Sequence, residues 1–339
     1  MCPSIKRKKF FPTFLFTSSL MQTLVSTFLP IDKNFIFKHE NIVDPNKRKV
    51  GIFITWVSHQ KIKIDNKNKI IVFILPGLTG KSDDSYIQNL CKQVLQFDFQ
   101  PVIYNYRLFS PKLELHQDEF INLTDDLKFT LEILQKQNPE HKIYAVGHSY
   151  GANQLVNYLG EVGNSSIVKG GVSVSNPYSM IACKSSIKPT FYDFALAKIL
   201  AKALHPIRDV FDKIAHYRNF QVDQALSAKR VKEFDQNLII HLFGYETTNQ
   251  YYLNFGSAKN IKNVKIPLLG LSSRDDAITS VSAIPIDDYI LNKNTILMLT
   301  NCGGHVGWVE GPFWNMQQWF VKPVMEYIKA LVEIQKNQN

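Results

Sequence analysis

The sequence predicts an α/β protein: a mostly parallel central sheet flanked by helices, with a helical insertion late in the chain. Three observations carry that prediction. Nearly continuous apolar runs recur along the chain, as expected of strands covered on both faces. Helical patterns separate them, which is the alternation of a βαβ-wound sheet. The alternation then stops after Asn176-Pro177 and resumes near Val264, leaving residues 178–263 with mostly helical patterns.

Taken in order, Lys6-Arg7-Lys8-Lys9 precedes a stretch from Phe10 to Pro30 that carries no charge. Such a stretch imitates a signal peptide, an anchor or a presequence, but Pro12 and many Ser and Thr residues dilute its apolar character. Residues 1–45 are therefore read as a structured amphiphilic segment packed on the core or on a membrane, with an anchor or a cleaved leader as alternatives. The first part of the core, 46–177, holds strand-like runs at 51–57, 70–75, 101–105, 142–147 and 168–175. Helical patterns lie between them at 84–96, 119–136 and 150–160. Ligand crevices of open α/β sheets lie at the carboxyl ends of the strands, so a helical insertion over 178–263, leaving and re-entering there, is expected to sit as a lid. Its helices are expected at 192–204 and 207–215, with Phe191, Phe194, Ala195, Ile199 and Leu200 on apolar faces. Over 264–339 the core resumes with runs at 265–272 and 294–300.

With 45% hydrophobic and 20% charged residues in 339, the composition excludes disordered, collagenous and disulfide-scaffold classes. A formal net charge of +10 favours anionic surfaces. Apart from one cluster the Lys residues are scattered among Asn and Gln, which does not read as a nucleic-acid footprint. Cys2, Cys91, Cys183 and Cys302 have no metal-like spacing, so a reducing setting, cytoplasmic or membrane-associated, is expected rather than zinc or disulfides.

Gly147-His148-Ser149-Tyr150-Gly151 follows an apolar run and opens a helical pattern, the context of a nucleophile elbow. The bland reading is an ordinary glycine-bounded turn. In this arrangement an acid and then a histidine follow on loops after later strands. Arg274-Asp275-Asp276-Ala277 supplies two candidate acids after the run ending at Ser273, of which Asp276 is preferred and Asp275 stays open. Asn301-Cys302-Gly303-Gly304-His305 follows the last run and places His305 29 residues after Asp276. Leu75-Pro76-Gly77-Leu78-Thr79-Gly80 follows an early run, where the backbone N–H of Leu78 would join that of Tyr150 in an oxyanion hole. Neither phosphate-loop pattern fits these glycines, and no cofactor is implied.

Further segments widen the comparison: Met21-Gln22-Thr23, Asn105-Tyr106-Arg107, Thr124-Asp125-Asp126-Leu127, Ser175-Asn176-Pro177, Glu233-Phe234-Asp235, Tyr251-Tyr252 and Gly303 to Gly311. In this order, and over nearly the whole chain, the sequence resembles the α/β-hydrolase family 4. That group includes YheT-type hydrolases, the animal α/β-hydrolase-domain proteins 1, 2 and 3 and the yeast medium-chain fatty acid ethyl ester synthase/esterases. The resemblance implies the α/β-hydrolase fold and a triad of Ser149, Asp276 and His305, which favours Asp276 over Asp275. It also implies carboxylic esters of medium-chain acyl groups, monoacylglycerols or phospholipids as substrates, with peripheral membrane association among the expectations. Two alternatives accompany it: an alcohol O-acyltransferase using the same acyl-enzyme, and a non-catalytic scaffold that retains the fold. Leu108 after Arg107, and His148 and Tyr150 within the elbow, depart from the family's usual residues.

Overall fold

A computed structural model of the chain describes residues 2–7, 10–43, 49–186, 191–218 and 220–337, without the side chains of 7, 184–186 and 191–192. Lys8 and Lys9 of the basic cluster and the Phe191 side chain lie outside the described residues. The strands are β1 (Phe35–Asn41), β2 (Phe53–His59), β3 (Ile70–Leu75), β4 (Gln100–Asn105), β5 (Lys142–His148), β6 (Val168–Val174), β7 (Leu268–Ser273) and β8 (Thr295–Thr300). They form one sheet in the order β1-β2-β4-β3-β5-β6-β7-β8. Only the pairings of β2 with β1 and β4 are antiparallel; the others are parallel. A short ribbon, β9 (Val309–Glu310) with β10 (Gln317–Gln318), stands apart.

All six residues of β3 are buried, which explains its unbroken apolar run. Alternate side chains serve two cores. Ile71, Phe73 and Leu75 pack toward α4 (Leu123–Gln137) and α5 (Tyr150–Val162), introduced by Leu127, Leu131, Leu155 and Leu159. Ile70, Val72 and Ile74 pack on the opposite face with residues of Ser85–Gln96 and Val321–Asn337, including Leu90, Val94, Val324 and Ile328.

In chain order the remaining helices begin with α1 (Pro3–Arg7), which docks on Val321–Asn337 where Ser4 N–H and Oγ donate to the Glu326 carboxylate at 2.9 and 2.8 Å. The next is α2 (Ser19–Thr27), nine residues long, and α3 is Ser85–Gln96. After β6 come α6 (Met180–Ser186), α7 (Phe191–Leu204), α8 (Arg208–Arg218), α9 (Val222–Leu226) and α10 (Val231–Phe234). A π-helical stretch, Asp235–Ile239, leads from α10 into α11 (Ile240–Phe243), followed by α12 (Thr248–Phe255). Leu200, Leu204, Phe211, Phe234 and Leu242 of this segment join the core on the α4 and α5 side. The chain closes with α13 (Ile286–Leu291) and α14 (Val321–Asn337). Among the described residues no helix is long and apolar enough to cross a membrane.

No element was expected at α1, α2, α13, α14, β9 or β10, and two further differences from the sequence expectation have a local cause. The helix expected from residue 119 starts at Leu123, because the Asn122 side chain accepts from Thr124 and Asp125 N–H as an N-cap, while Ile121 N–H is tied to the Leu242 carbonyl at 2.9 Å. Strand β1 was not anticipated. It pairs on one side only and exposes Lys38, His39 and Asn41, so it lacks the apolar run that marks the central strands.

Strand register explains where chemistry can assemble. Leu75 pairs with Gly147, His148 with Val174, Val174 with Leu271, and Ser273 with Thr300. The carboxyl ends of five strands therefore share one edge of the sheet. The loops leaving them, 76–80, 149, 175–179, 274–280 and 301–308, are brought together although far apart in sequence.

Candidate active site

Ser149 joins β5 directly to α5 and adopts φ 51° and ψ −115°, a backbone conformation that a non-glycine residue holds only when its surroundings enforce it. The surroundings do so. Ser149 N–H donates to the Val174 carbonyl at 2.8 Å, and its carbonyl accepts from Asn153 N–H at 3.1 Å. A Cβ on Gly151 would collide with the carbonyl oxygens of Leu75 and Pro76, so the turn requires glycine there.

The Ser149 Oγ lies 2.8 Å from His305 Nε2. On the other side of the ring, Nδ1 lies 2.9 Å from Asp276 Oδ2. The Asp276 side chain is fully buried and the His305 side chain nearly so. Burial opposes ionisation of Asp276. His305, the Thr279 hydroxyl and the Thr279 N–H outweigh that effect and hold its carboxyl below the usual range. Its Oδ1 also accepts from Ile278 and Thr279 N–H, both at 2.9 Å, which fixes the plane of the carboxylate.

Asp275 has different contacts. Its Oδ1 accepts from Gly304 N–H at 3.0 Å and from the Ser273 hydroxyl, so it ties the loop after β7 to the loop that carries His305.

The oxyanion candidates lie beside the serine. Tyr150 is the first residue of α5, where a backbone N–H has no intrahelical acceptor. The loop holding Leu78 abuts the elbow: a Cβ at Gly77 would stand 3.7 Å from the Ser149 Cβ. Two tyrosines hold that loop. Tyr106 donates from its hydroxyl to the Pro76 carbonyl at 2.8 Å, and Tyr86 accepts from Gly77 N–H at 3.0 Å. Leu78 and Tyr150 line a crevice walled by Leu108, Phe109, Leu200, Leu204, Phe234, Asp235, Ile239 and Tyr251. Only about 20 Å³ of it is wide enough for a water, room for about one molecule. Among the expected apolar positions of the insertion, Leu200 reaches this wall, whereas Phe194 and Ile199 face solvent.

Several supporting residues had no assigned role in the sequence. Thr23 of α2 accepts from His305 N–H through its hydroxyl at 2.9 Å. Gln22, fully buried, accepts from Val309 N–H at 2.6 Å and donates to the Val309 carbonyl at 3.2 Å. Gly304 has φ +62°, and a Cβ there would stand 2.6 Å from the Ser19 carbonyl oxygen, so α2 closes tightly on the histidine loop. Ser175, itself at φ 49°, accepts from Val306 N–H at 3.1 Å. His148 is buried between the rings of Tyr86 and Phe320 at 5.1 and 5.6 Å, and burial pushes its imidazole down to about 3. It is therefore neutral and acts in packing. The local signal for the Gln22-Thr23 pair was its place among the segments of family resemblance; its contacts span more than 280 residues of sequence and leave no local pattern.

A family model described as "Serine aminopeptidase, S33" (Hydrolase_4) matches residues 66–285. The chain belongs to this family of α/β-hydrolases. The matched range includes Ser149 and Asp276 and ends before His305. Phospholipase ABHD3 of Bos taurus is 28% identical over 98% of this chain and 80% of its own length. A monoacylglycerol lipase of Saccharomyces cerevisiae is 28% identical over 79% of this chain and 61% of its own. Among solved structures, an esterase of Pyrococcus furiosus superposes with a TM-score of 0.51 and 17% identity, covering 80% of this chain and 83% of that one. At that identity the likeness concerns the α/β-hydrolase fold alone, in agreement with the sheet order described above.

Proposed function

We propose that this α/β-hydrolase cleaves carboxylic esters of medium-chain acyl groups, with monoacylglycerols or phospholipids as the substrate class, through a Ser149 acyl-enzyme. The observation that carries the reading is the unbroken line from buried Asp276 through His305 to Ser149 Oγ, with hydrogen bonds of 2.9 and 2.8 Å. In the first step Ser149 Oγ attacks the ester carbonyl carbon while His305 Nε2 takes its proton. Asp276 fixes the ring with Nδ1 protonated and stabilises the imidazolium. The tetrahedral oxyanion receives the backbone N–H groups of Tyr150 and Leu78. His305 then returns the proton to the leaving alcohol, and the acyl group remains on Ser149. Water, losing a proton to Nε2, attacks the acyl carbonyl and releases the acid and free serine.

The lipid character of the substrate is supported by the apolar crevice wall and by the phospholipase and monoacylglycerol lipase relatives. Lipid esters of this size are presented in aggregates, so association with a membrane surface is part of the same proposal. The crevice holds about one water, so an acyl chain enters as the helices of 178–263 part from the core and act as a lid. Each buried methylene contributes about 0.8 kcal/mol at most. Turnover of p-nitrophenyl esters should therefore rise several-fold in kcat/KM from acetate to butyrate and again toward octanoate. A series in which acetate is best and activity falls steadily with length would replace this reading with a small-ester hydrolase.

A further inference from the structure

Two stretches of this chain, 10–31 and 311–321, contain no charged residue. The structure places them side by side. Thr13 donates through N–H to the Val309 carbonyl at 3.1 Å and through Oγ1 to the Gly311 carbonyl at 2.9 Å, and the rings of Phe16 and Phe313 are 6.3 Å apart. Their inner side is well packed: Phe10 is buried against Trp319 at 5.5 Å, and Gln22 and Leu29 are buried.

The outer side is unusual. Phe14 is 89% and Trp314 86% exposed, and Phe11, Leu15, Phe28 and Phe313 are also exposed. Isolated exposed apolar residues need no explanation, but large aromatic side chains gathered on two adjoining uncharged segments mark an interaction surface. The chemistry around it identifies the partner. The basic run Lys6-Arg7-Lys8-Lys9 immediately precedes Phe10, and the chain as a whole carries +10. Uncharged aromatic side chains for the acyl boundary, with cations next to them for anionic headgroups, are what a peripheral lipid-binding face requires. The same segment closes on the active site, since Thr23 holds His305 N–H and Gln22 holds Val309.

We propose that residues 10–31 and the loop 311–316 form a docking face for an anionic lipid surface, which brings the crevice lined by Leu78 and Tyr150 to its substrate. The inference rests on the lipid-ester reading for its purpose and on the exposed face for its evidence.

The test uses the full chain with phosphatidylcholine vesicles prepared with and without phosphatidylserine. The wild-type protein should co-sediment with the phosphatidylserine vesicles, less so as salt is raised. Its fluorescence should shift to the blue through Trp314, and not in Trp314→Ser, because Trp308 and Trp319 are already buried and the half-buried Trp56 has its indole N–H on Glu40. Phe14→Ser combined with Trp314→Ser should weaken sedimentation about tenfold or more, with turnover of soluble p-nitrophenyl butyrate unchanged. Wild-type protein that binds neither vesicle, or a double variant that sediments as well as wild type, would overturn the proposal. So would a wild-type dimer that the double variant converts to monomer, since the face would then be a contact between copies. Hydrolysis of the soluble ester is measured in the same samples, so failure of docking is distinguished from failure of the ester-hydrolase reading.

Discussion

Asp275 and Asp276 show how far a single side chain can be read from sequence. Both follow the same strand, and residue type alone left both open; the family resemblance favoured Asp276. The structure sends Asp276 to His305 Nδ1 and Asp275 to Gly304 N–H. Asp276→Asn should lower ester turnover by roughly 10⁴, because an amide favours the wrong imidazole tautomer. Asp275→Asn retains a carbonyl acceptor for Gly304 and should change kcat/KM far less. Steady-state kinetics on p-nitrophenyl butyrate decides the point; effects of reversed size would make Asp275 the orienting acid. That Ser149 and His305 would meet was legible because a strained turn and a glycine-rich loop leave local patterns. Thr23, Tyr86 and Tyr106 were given no roles because their work consists of hydrogen bonds with backbone atoms of other segments, which leave no motif.

At the level of elements, apolar runs located the central strands, whereas β1 escaped because only Phe35, Ile36 and Phe37 are apolar before four polar residues, too short a run to detect. The helical character of 178–263 was also readable, but not the place of Asp235. This residue lies in the π-helical stretch and lines the crevice, with its Oδ2 accepting from the Tyr252 hydroxyl at 2.7 Å. Burial pushes its carboxyl up to about 7, against the opposing effect of the Tyr252 bond. Between the ordinary carboxyl range, about 4, and about 7, the folded chain keeps a proton that the unfolded chain has lost. Stability from this group is thus greatest below that window, falls as pH rises through it, and is level above it. Asp235→Asn cannot titrate and should gain thermal stability relative to wild type as pH rises across the window. A difference in Tm between variant and wild type that stays constant from acid to alkaline pH would show that Asp235 ionises as an exposed carboxylate does.

For the whole molecule, the order of runs and helices gave the α/β class, and the late insertion gave its interruption after β6. Strand order and the antiparallel course of β2 could not be read, because they depend on which edges pair in three dimensions. The N-terminal segment was ambiguous for a physical reason: a stretch without charges fits a span, a leader or a packed strap equally well. Here residues 10–31 follow the β9 ribbon and the histidine loop through Thr13, Gln22 and Thr23, so the segment supports the site. On the mechanism proposed above, this convergence of loops makes one serine nucleophilic. Fluorophosphonate labelling of the intact chain at neutral pH, with the modified peptide identified by mass spectrometry, tests it most directly. A single adduct on Ser149, lost in Ser149→Ala, is the expected result; an adduct on another residue, or labelling that survives the substitution, would rule Ser149 out as the nucleophile.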